Sequence, residues 1–467
     1  MHKVRLNNKI VEVPDGTILA EVLIKSGENP PHLCGGKGTC KKCLVKVNGK
    51  EELSCQYKIK SDIDVVLPEN DDIFSEIGAN ESGKITKNCC YCLDIGTTTL
   101  ALALVSLDKK EIIKVKTVTN PQRAFGGDVL NRIEYCDKNG ISELQICLIN
   151  KINEMIDNIG VSTANTMYVS GNTTMLHIFF GVDPSSIGVA PYTPVFVDSK
   201  EIKGAQIGLK KIENVISLPC ISAFVGADLV AGINYANMPS DNKFNLLVDL
   251  GTNAEIMLYN KNKVYCTSAA AGPCFEGANI TCGMSATEGA IYSFSNNGSY
   301  ETINNTKPKG ICGTGLIDII AVLLQKGIID ETGYLESEEF FISDTVKLTQ
   351  KDIRQFQLAK SAVYSGLTAL LKEKSTSFSD IESLFISGGF SAKINIENAI
   401  RTGLLPRELK DKIIVLNNSS LLGTVKYACE QNDLSVYLKN AEYINLSTNE
   451  FFSQKFIENM EFLNATF

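Results

Sequence analysis

Four cysteines near the start of the chain have a spacing that could hold a metal centre. Three lie in the stretch HLCGGKGTCKKCLVKV (residues 32–47), separated by five and then two residues, and the fourth follows after eleven more. They are Cys34, Cys40, Cys43 and Cys55. Thiolates are ligands for zinc and for iron–sulfur clusters. The glycines between them let the loop aim backbone amides at a bound sulfur, and the lysines favour thiolates.

A predicted hairpin explains how the fourth cysteine can join the other three. Asn48-Gly49 lies between the short segments CLVKV and KEEL, and this pair of residues suits a type I′ turn. Such a turn places Cys43 opposite Ser54, with Cys55 one step further along the strand. We therefore expect all four thiols to converge on one site.

The ligand set leaves three interpretations open. Zinc ribbons usually present two Cys-x2-Cys pairs, whereas this loop has one such pair. The long glycine-rich first gap resembles the cluster loop of [2Fe–2S] ferredoxins of the adrenodoxin type, and the preceding hairpin and helix suit their β-grasp fold. We expect a [2Fe–2S] cluster here, with zinc as the alternative and unligated thiols as the third interpretation.

Two Asp-x-Gly-Thr turns further along the chain could bind phosphate groups. YCLDIGTTTLALALV (residues 91–105) and LLVDLGTNAEIMLY (residues 246–259) each read as strand, turn and strand. Such a turn offers backbone N–H groups and hydroxyls to phosphate oxygens, and an Asp at the strand end can hold Mg²⁺ through water. Two facing turns would clamp a nucleotide, although each could also be an ordinary strand-ending turn. Since the chain has no G-x4-G-K-[ST] sequence, P-loop chemistry is disfavoured.

The same two signals occur twice in the same order. MYVSGNTT (residues 167–174) follows the first turn and LFISGGFS (residues 384–391) follows the second, each reading as a strand that enters a glycine turn before a helix. From Cys89 onward apolar strands alternate with amphipathic helices such as ISELQICLINKINEMIDNIG (residues 141–160). We therefore predict a duplicated α/β domain with two similar lobes.

The elements ahead of that domain predict a small separate module. KVRLNNKIVEV (residues 3–13) reads as two strands around an Asn-Asn turn, and TILAEVLIKSG (residues 17–27) reads as a short helix that ends at Gly27. The polar segment that follows reads as a flexible linker, because it is poor in large apolar residues. The predicted division is a module at residues 1–68, a linker at 69–88 and a domain at 89–467, with lobes at about 89–240 and 241–467.

The bulk composition excludes several functional classes. The 467 residues include 45 Lys and Arg against 53 Asp and Glu, so the chain lacks the basic excess of nucleic-acid-binding proteins. No apolar run approaches the roughly 18 residues of a membrane span, and the N-terminus lacks a signal-peptide core, so we expect a cytoplasmic protein. In a reducing compartment most of the 15 cysteines, including Cys89, Cys90 and Cys92, are expected to be buried packing residues.

The order of the motifs resembles the superfamily of acetate and sugar kinases, heat-shock chaperones and actin, over roughly residues 89–429. The resemblance implies a two-lobed RNase H-like ATPase domain that binds ATP and Mg²⁺. It makes residues 94–98 the first phosphate motif, residues 249–253 the second, and ISGGF (residues 386–390) the adenosine motif. The residues expected to act there are Asp94, Gly96, Thr97, Thr98, Asp249, Gly251, Thr252, Asn253, Gly388 and Gly389.

Two further segments acquire expected roles from this resemblance. FVGADLVAGI (residues 224–233) would be the first connecting helix between lobes, and NNSSLLGTVKYA (residues 417–428) the second. Asp228 is then a candidate catalytic-side carboxylate, with a helix N-terminal charge as the equally simple alternative. Gly313 and Thr314 open another predicted helix, where they could bind an anion or serve close helix packing.

A ferredoxin module ahead of this ATPase fold resembles the reductive activators of corrinoid proteins, and the resemblance covers nearly the whole chain. Four stretches are similar to that family: NPQRAFGGDVLNRI, SGNTTMLHIFFGVDP, AAAGPCFEGANI and GICGTGLIDII. The resemblance implies a one-electron reductase. An upstream electron donor reduces the cluster, which passes the electron to an inactive Co(II) corrinoid protein of a methyltransferase system and gives Co(I). A homodimer is also expected.

The chemistry that this family implies needs an energy source. Co(I) is a very strong reductant, so the transfer is uphill from an ordinary ferredoxin cluster at about −400 mV. ATP can offset the difference only through a state that it binds or hydrolyses differently. Three alternative functions remain. The first is an activator of another low-potential enzyme, as in the 2-hydroxyacyl-CoA dehydratase activators with their shared [4Fe–4S] cluster. The second is a small-molecule kinase with a metal-binding appendage, and the third is a redox-sensing, chaperone-like ATPase.

Overall fold

The computed structural model describes residues 1–6, 9–28, 30, 32, 36–38, 42–67, 88–160, 164–236, 239, 243–389 and 391–462. The expected cluster ligands Cys34 and Cys40 lie outside these ranges, as does the predicted linker except Asn88. Within these ranges, no helix is both long and apolar enough to cross a lipid bilayer.

The N-terminal module is a five-stranded sheet with one helix packed on it. Its elements are β1 (His2–Leu6), β2 (Lys9–Val13), α1 (Leu19–Lys25), β3 (Leu44–Val47), β4 (Lys50–Leu53) and β5 (Ile63–Val66). The strand order is β2-β1-β5-β3-β4, with β1 and β5 parallel in the middle. Alternate strand residues such as Val4 and Val45 are buried together with Leu19 and Leu23 of α1, which gives the module its own core. The arrangement agrees with the predicted β-grasp fold.

The hairpin predicted in this module is present in the expected register. Asn48 and Gly49 have φ angles of 49° and 81°, as both central positions of a type I′ turn require. The backbone N–H of Ser54 donates to the carbonyl of Cys43 at 3.0 Å. Cys55 therefore emerges at the same end of the hairpin as Cys43, as the sequence predicts.

The first lobe is built on a six-stranded sheet. Its strands are β6 (Cys89–Ile95), β7 (Thr99–Ser106), β8 (Glu111–Thr119), β9 (Thr166–Gly171), β10 (Glu201–Lys203) and β11 (Asn214–Ser217), and its helices are α2 (Val129–Asn139), α3 (Ser142–Ile159), α4 (Thr173–Phe180), α5 (Ser185–Gly188) and α6 (Ala227–Tyr235). The strand order is β10-β11-β9-β6-β7-β8. The helix predicted at residues 141–160 is α3, and its buried face joins one apolar cluster with the sheet. A 3-10 turn at Pro121–Ala124 leads into α2.

The second lobe also contains a six-stranded sheet, together with two smaller sheets. Its strands are β12 (Phe244–Leu250), β13 (Ala254–Tyr259), β14 (Val264–Ala269), β15 (Ala290–Phe294), β16 (Tyr300–Thr302), β17 (Gly310–Ile311), β18 (Glu339–Phe341), β19 (Lys347–Thr349), β20 (Ile381–Ser387), β21 (Ile413–Val415) and β22 (Ala441–Tyr443). Its helices are α7 (Gly313–Gln325), α8 (Gln350–Glu373), α9 (Ile396–Arg401), α10 (Ser419–Glu430), α11 (Ser435–Leu438) and α12 (Glu450–Glu458). The main sheet has the order β21-β20-β12-β13-β14-β22.

The two main sheets share their central connections, which confirms the predicted duplication. β6 pairs antiparallel with β7 and parallel with β9, and β12 pairs in the same way with β13 and β20. The second repeated segment, a strand that enters a glycine turn before a helix, is less regular than predicted. β9 is followed at once by α4, whereas β20 is followed by a 3-10 turn at Ser391–Lys393 before α9.

The two segments predicted as connecting helices are α6 and α10, and they pack against each other. The Asn234 amide of α6 donates to the carbonyl of Gly423 in α10 at 3.1 Å. In return, the Lys426 ammonium of α10 donates to the carbonyl of Asn234 at 2.8 Å. Both helices begin beside the ends of β6 and β12, so they bring their first turns to the place where the two Asp-x-Gly-Thr turns lie.

Candidate functional site

Both Asp-x-Gly-Thr turns line one cavity of about 200 Å³ between the lobes. Most of the residues expected to bind nucleotide line it too. They are Asp94, Gly96, Thr97, Thr98, Asp228, Asp249, Gly251, Thr252, Asn253, Gly313, Gly388 and Gly389. Thr314 does not line the cavity, and its buried hydroxyl lies 3.5 Å from the Cys312 sulfur. The structure therefore brings residues from both halves of the duplication to a single cleft.

The two turn aspartates are held by equivalent neighbours. Asp94 of β6 lies beside Ser170 of β9, and Asp249 of β12 lies beside Ser387 of β20. The first residues of α10 complete both arrangements. The Ser420 hydroxyl donates to Asp94 Oδ1 at 2.7 Å, while the hydroxyls of Ser387 and its neighbour Ser419 are 2.6 Å apart. One helix start thus ties the strand ends of both lobes together.

The three predicted carboxylates are partly buried, and their pKa values are raised. Burial raises the pKa of Asp94 to about 7, and the nearby charge of Asp249 adds to the effect. Burial also raises the pKa of Asp228 to about 8, together with the charges of Asp249 and Asp94. Burial raises the pKa of Asp249 to about 6, against a hydrogen bond from Ser387 that lowers it.

A fourth carboxylate, that of Glu255, adds to the negative charge of the cleft. Glu255 of β13 lies directly opposite Asp249 on β12, and its pKa is raised by burial and by the charges of Asp228 and Asp249. Like charges directly opposite each other on paired strands are destabilising. The carboxylates of the cleft therefore need either bound protons or a bound cation to offset their mutual repulsion.

The donor set of the cleft fits a hydrated magnesium ion better than a closed protein cage. Among the residues that the structure describes, no three His, Cys, Asp or Glu side chains are grouped closely enough to hold a metal ion by themselves. Mg²⁺ commonly keeps several waters and binds through one or two carboxylates plus substrate phosphates. Asp94 and Asp249 stand at the strand ends where such an ion would meet phosphates.

Glu276 joins the two phosphate motifs across the cleft. The Thr98 hydroxyl donates to Glu276 Oε2 at 2.7 Å, and the Thr252 hydroxyl donates to Glu276 Oε1 at 3.1 Å. The carboxylate thus accepts from one threonine of each motif. Because these are the hydroxyls expected to contact phosphate oxygens, Glu276 competes with phosphate for the same donors.

A buried polar cluster supports the first phosphate motif from behind. The Asn120 amide donates to the Gly96 carbonyl at 2.8 Å. The Arg132 guanidinium is fully buried and donates to the carbonyl of Thr97 at 2.5 Å. Burial lowers the pKa of Arg132 to about 10, so the side chain stays charged at neutral pH. These contacts fix the turn and place a positive charge behind the expected phosphate position.

Gly388 meets a steric requirement at the end of β20. Its φ is +121°, and a Cβ atom there would lie 2.2 Å from the carbonyl oxygen of Leu250. The next residue, Gly389, has open space around its Cα. The first glycine of the predicted adenosine motif is therefore required by the backbone, whereas the second leaves room beside the cleft.

The thiols that the structure describes in the N-terminal module fit a cluster site. The sulfurs of Cys43 and Cys55 are 3.3 Å apart and form no disulfide. Burial opposes ionisation of Cys43, but hydrogen bonds from His32, Ser54 and Cys55 outweigh it and lower the pKa to about 7. Gly36 and Gly38, which lie between Cys34 and Cys40 in the sequence, both have positive φ angles. Two converging thiols, one of them partly ionised, are a suitable donor pair for an iron–sulfur cluster.

The cysteines of NCCYCLD have the packing role that the sequence favours. Cys89, Cys90 and Cys92 are buried in β6, at 5% exposure or less. Burial raises the pKa of Cys92 well above that of a free thiol. A neutral thiol in an apolar setting behaves as a small hydrophobic side chain.

Sequence reasoning missed Glu255, Glu276 and Arg132. Glu255 had a signal, because it is a single charge in the otherwise apolar strand AEIMLY. Glu276 lies in AAAGPCFEGANI and Arg132 in NPQRAFGGDVLNRI, two stretches noted only for their family likeness. Their roles depend on contacts across the cleft and beneath the turn, which no local pattern encodes.

Comparison with known protein families accounts for almost the entire chain. Residues 2–68 match the 2Fe-2S iron-sulfur cluster binding domain, and residues 89–241 match the RACo middle region. Residues 243–467 match the C-terminal domain of RACo, described as the ASKHA domain.

Individual relatives give a consistent result. The corrinoid activation enzyme RamQ of Eubacterium limosum is 27% identical, with 97% of each chain covered. The [Co(II) methylated amine-specific corrinoid protein] reductase of Methanosarcina barkeri is 26% identical, with 78% of this chain and 75% of the relative covered. The solved structure of a reductive activator for corrinoid, iron-sulfur protein superposes with a TM-score of 0.74 at 26% identity, covering 99% of this chain and 98% of that one.

Proposed function

Because this chain belongs to the family of reductive activators of corrinoid proteins, we propose that it uses ATP to drive one electron from a [2Fe–2S] cluster to a Co(II) corrinoid protein, giving Co(I). One structural observation carries the proposal. A single chain combines converging ferredoxin-type thiols with a two-lobed cleft that is lined by both phosphate motifs. A simple kinase would need the cleft alone, and a ferredoxin would need the module alone.

The cluster would be held by Cys34, Cys40, Cys43 and Cys55. When bound, a [2Fe–2S] cluster supplies one-electron redox chemistry. The protein's own contribution is to hold Cys43 as a good thiolate donor, through hydrogen bonds that lower the pKa to about 7. The neighbouring Cys55 arrives from the facing strand of the hairpin, so the donor pair is fixed by the module's fold.

The cleft would hold ATP with Mg²⁺. The turns at residues 94–98 and 249–253 would contact the phosphates, with Asp94 and Asp249 facing the waters of Mg²⁺. Gly388 and Gly389 would lie beside the adenosine, and Gly313 at the start of α7 beside the phosphates. Asp228 lies in the first turn of α6 and lines the same cavity, where it would be the catalytic-side carboxylate.

ATP would supply the energy for the uphill electron transfer through a conformational change of the protein. Each 59 mV of one-electron gap corresponds to a factor of ten, about 1.4 kcal/mol. A nucleotide can offset that gap only if it binds or is hydrolysed differently in two states of the complex. Lobe movement around the cleft is the natural candidate, since Glu276 now links Thr98 to Thr252.

The proposal is tested by mixing the reduced, cluster-loaded protein with Co(II) corrinoid proteins under anaerobic conditions. Suitable probes are a methylated-amine-specific corrinoid protein and a corrinoid iron–sulfur protein, the two substrates named for relatives. We expect Co(I) absorbance to appear with at least one probe, and to require MgATP. Phosphate transfer to a small-molecule acceptor without cobalt reduction would favour a kinase instead.

The finer partner assignments belong to the same proposal. We expect a low-potential ferredoxin-like donor to reduce the cluster, and we expect the chain to form a homodimer. Light scattering on the purified protein tests the second expectation. A monomer at micromolar concentration would contradict the homodimer while leaving the electron-transfer chemistry intact.

A further inference from the structure

The N-terminal module is hydrogen-bonded to both lobes of the ATPase domain. The Lys42 ammonium donates to the carbonyl of Gly283 in the second lobe at 2.7 Å. On the first lobe, the backbone N–H of His32 donates to the carbonyl of Arg123 at 3.0 Å. The module therefore spans the two halves of the nucleotide-binding domain.

The His32 ring lies between the first lobe and the cluster thiols. Its Nδ1 is 2.8 Å from the carbonyl oxygen of Ala124, and its Nε2 is 3.2 Å from the Ser54 hydroxyl. Because a carbonyl only accepts, Nδ1 donates its proton to Ala124. On its other side, the ring faces the Ser54 hydroxyl and also hydrogen-bonds to the Cys43 thiol. His32 is 4% exposed and Ser54 is fully buried. Ser54 stands between the two ligands, bonded to Cys43 through its backbone and adjacent to Cys55 in the chain.

The 3-10 turn that receives His32 is also bonded to the first phosphate motif. Asn120, which caps this turn, donates its backbone N–H to the carbonyl of Thr98 at 2.8 Å and its amide to the carbonyl of Gly96 at 2.8 Å. Within the turn, Gln122 accepts from the same Arg132 guanidinium that holds the Thr97 carbonyl. The phosphate motif is thus joined to His32 by hydrogen bonds through one short turn, most of which is buried.

We propose that His32 is the positioning residue through which nucleotide in the cleft changes the environment of the cluster. The inference rests on the proposed function, since it assumes a cluster on Cys43 and Cys55 and a nucleotide at Thr97 and Thr98. It adds the route by which one site affects the other. Coupling between two binding equilibria is reciprocal, so nucleotide must shift the cluster's reduction potential by the same factor by which reduction shifts nucleotide affinity.

Linkage measurements on the full-length holoprotein test this proposal without any corrinoid partner. The dissociation constant of the magnesium complex of AMPPNP is measured on oxidised and on dithionite-reduced protein, and iron is quantified on each sample. We expect the two constants of the wild-type protein to differ at least fivefold, the lower end of common allosteric couplings. At 59 mV per tenfold, that ratio corresponds to a nucleotide-induced potential shift of about 40 mV in an EPR-monitored redox titration.

Two variants interrupt the route at different atoms. His32→Asn shortens the side chain that joins the lobe to Ser54, and Ser54→Ala removes only the hydroxyl. We expect His32→Asn to reduce the ratio to less than twofold. We expect Ser54→Ala to lower the ratio less, because the direct contact between His32 and Cys43 remains. His2→Asn is the matched control, because His2 lies on the same module and pairs with the exposed Asp15. It should keep the wild-type ratio. If His32→Asn assembles no cluster, the ratio of dissociation constants measured for Ser54→Ala tests the proposal by itself.

Two outcomes overturn the inference. A wild-type ratio below twofold would mean that the sites are not coupled. An undiminished ratio in Ser54→Ala and in an iron-loaded His32→Asn would mean that the coupling takes another route. Neither outcome resembles a failure of the proposed function, which would show as wild-type protein that holds no iron or binds no nucleotide.

Discussion

Binding of MgATP should release protons, because the cleft holds carboxylates that are partly protonated at neutral pH. Asp94 has a pKa of about 7 and Asp228 a pKa of about 8. Divalent metal favours the ionised form of Asp94, which faces it, so it displaces the proton that Asp94 carries. The positive charge of the metal also lowers the pKa of Asp228, which lines the same cavity. A raised pKa in the free protein therefore makes nucleotide binding weaker at low pH and tighter at high pH.

The number of protons follows from the two pKa values. At pH 7 Asp94 is about half protonated and Asp228 about nine-tenths protonated, so ionising both releases about 1.4 protons per nucleotide. At pH 9 the same two groups carry only about 0.1 proton together. We therefore expect the affinity for MgATP to rise by more than tenfold per unit near pH 7, and to level off by about pH 9.

Isothermal titration calorimetry in buffers of different ionisation enthalpy measures the released protons directly. MgATP is formed before mixing, so the ionisation of the phosphates is already complete. Asp94→Asn should lower the release at pH 7 by about 0.5 proton. Asp318→Asn is the control, since the pKa of Asp318 is also raised by burial but this residue does not line the cleft. Proton uptake at pH 7, or a release that stays constant to pH 9, would refute the reasoning.

Three further predictions concern single side chains. Glu276→Ala frees the hydroxyls of Thr98 and Thr252 and removes a negative charge near the expected phosphates. Nucleotide should therefore bind about tenfold tighter, as measured by fluorescence titration. Equal or weaker binding would contradict the competing role of Glu276. Cys43→Ala, which leaves no donor atom at this position, should abolish the EPR signal of dithionite-reduced protein, and Cys429→Ala should keep it. Iron retained at full occupancy in the first variant would exclude Cys43 as a ligand. Gly388→Ala should lower the free energy of unfolding by more than about 2 kcal/mol in urea denaturation, because Cβ would meet the Leu250 carbonyl. Gly389→Ala, with open space around it, should change that free energy by less than about 0.5 kcal/mol, and equal costs would rule out the steric explanation.

The features that the sequence predicted well are those with a local pattern. Asn48-Gly49 defined the hairpin register, because a two-residue turn dictates which residues face each other. The repeated Asp-x-Gly-Thr turns predicted two equivalent strand pairs, and β6–β7 and β12–β13 are those pairs. Likewise, most of the residues expected to bind nucleotide line one cleft, since each motif stands at the end of a strand.

The features that the sequence did not predict depend on long-range contacts. Glu276 bonds to Thr98, which lies 178 residues earlier in the chain, and nothing in its own segment distinguishes it from a surface acid. The contact between His32 and Ala124 joins two domains across 92 residues. The hydroxyl of Thr314, which was expected at the anion site, is buried 3.5 Å from the Cys312 sulfur, so its role there stays a prediction. Local periodicity identifies elements, whereas these residues act through tertiary packing.

The most direct test of the central claim is ATP-dependent cobalt reduction by the chain itself. Reduced, cluster-loaded protein is mixed anaerobically with a Co(II) corrinoid protein, and Co(I) is followed by its absorbance with MgATP, with MgADP and without nucleotide. We expect one electron per cluster to reach cobalt and Co(I) to accumulate only with MgATP. Equal accumulation of Co(I) without nucleotide would contradict the proposed coupling of ATP to electron transfer.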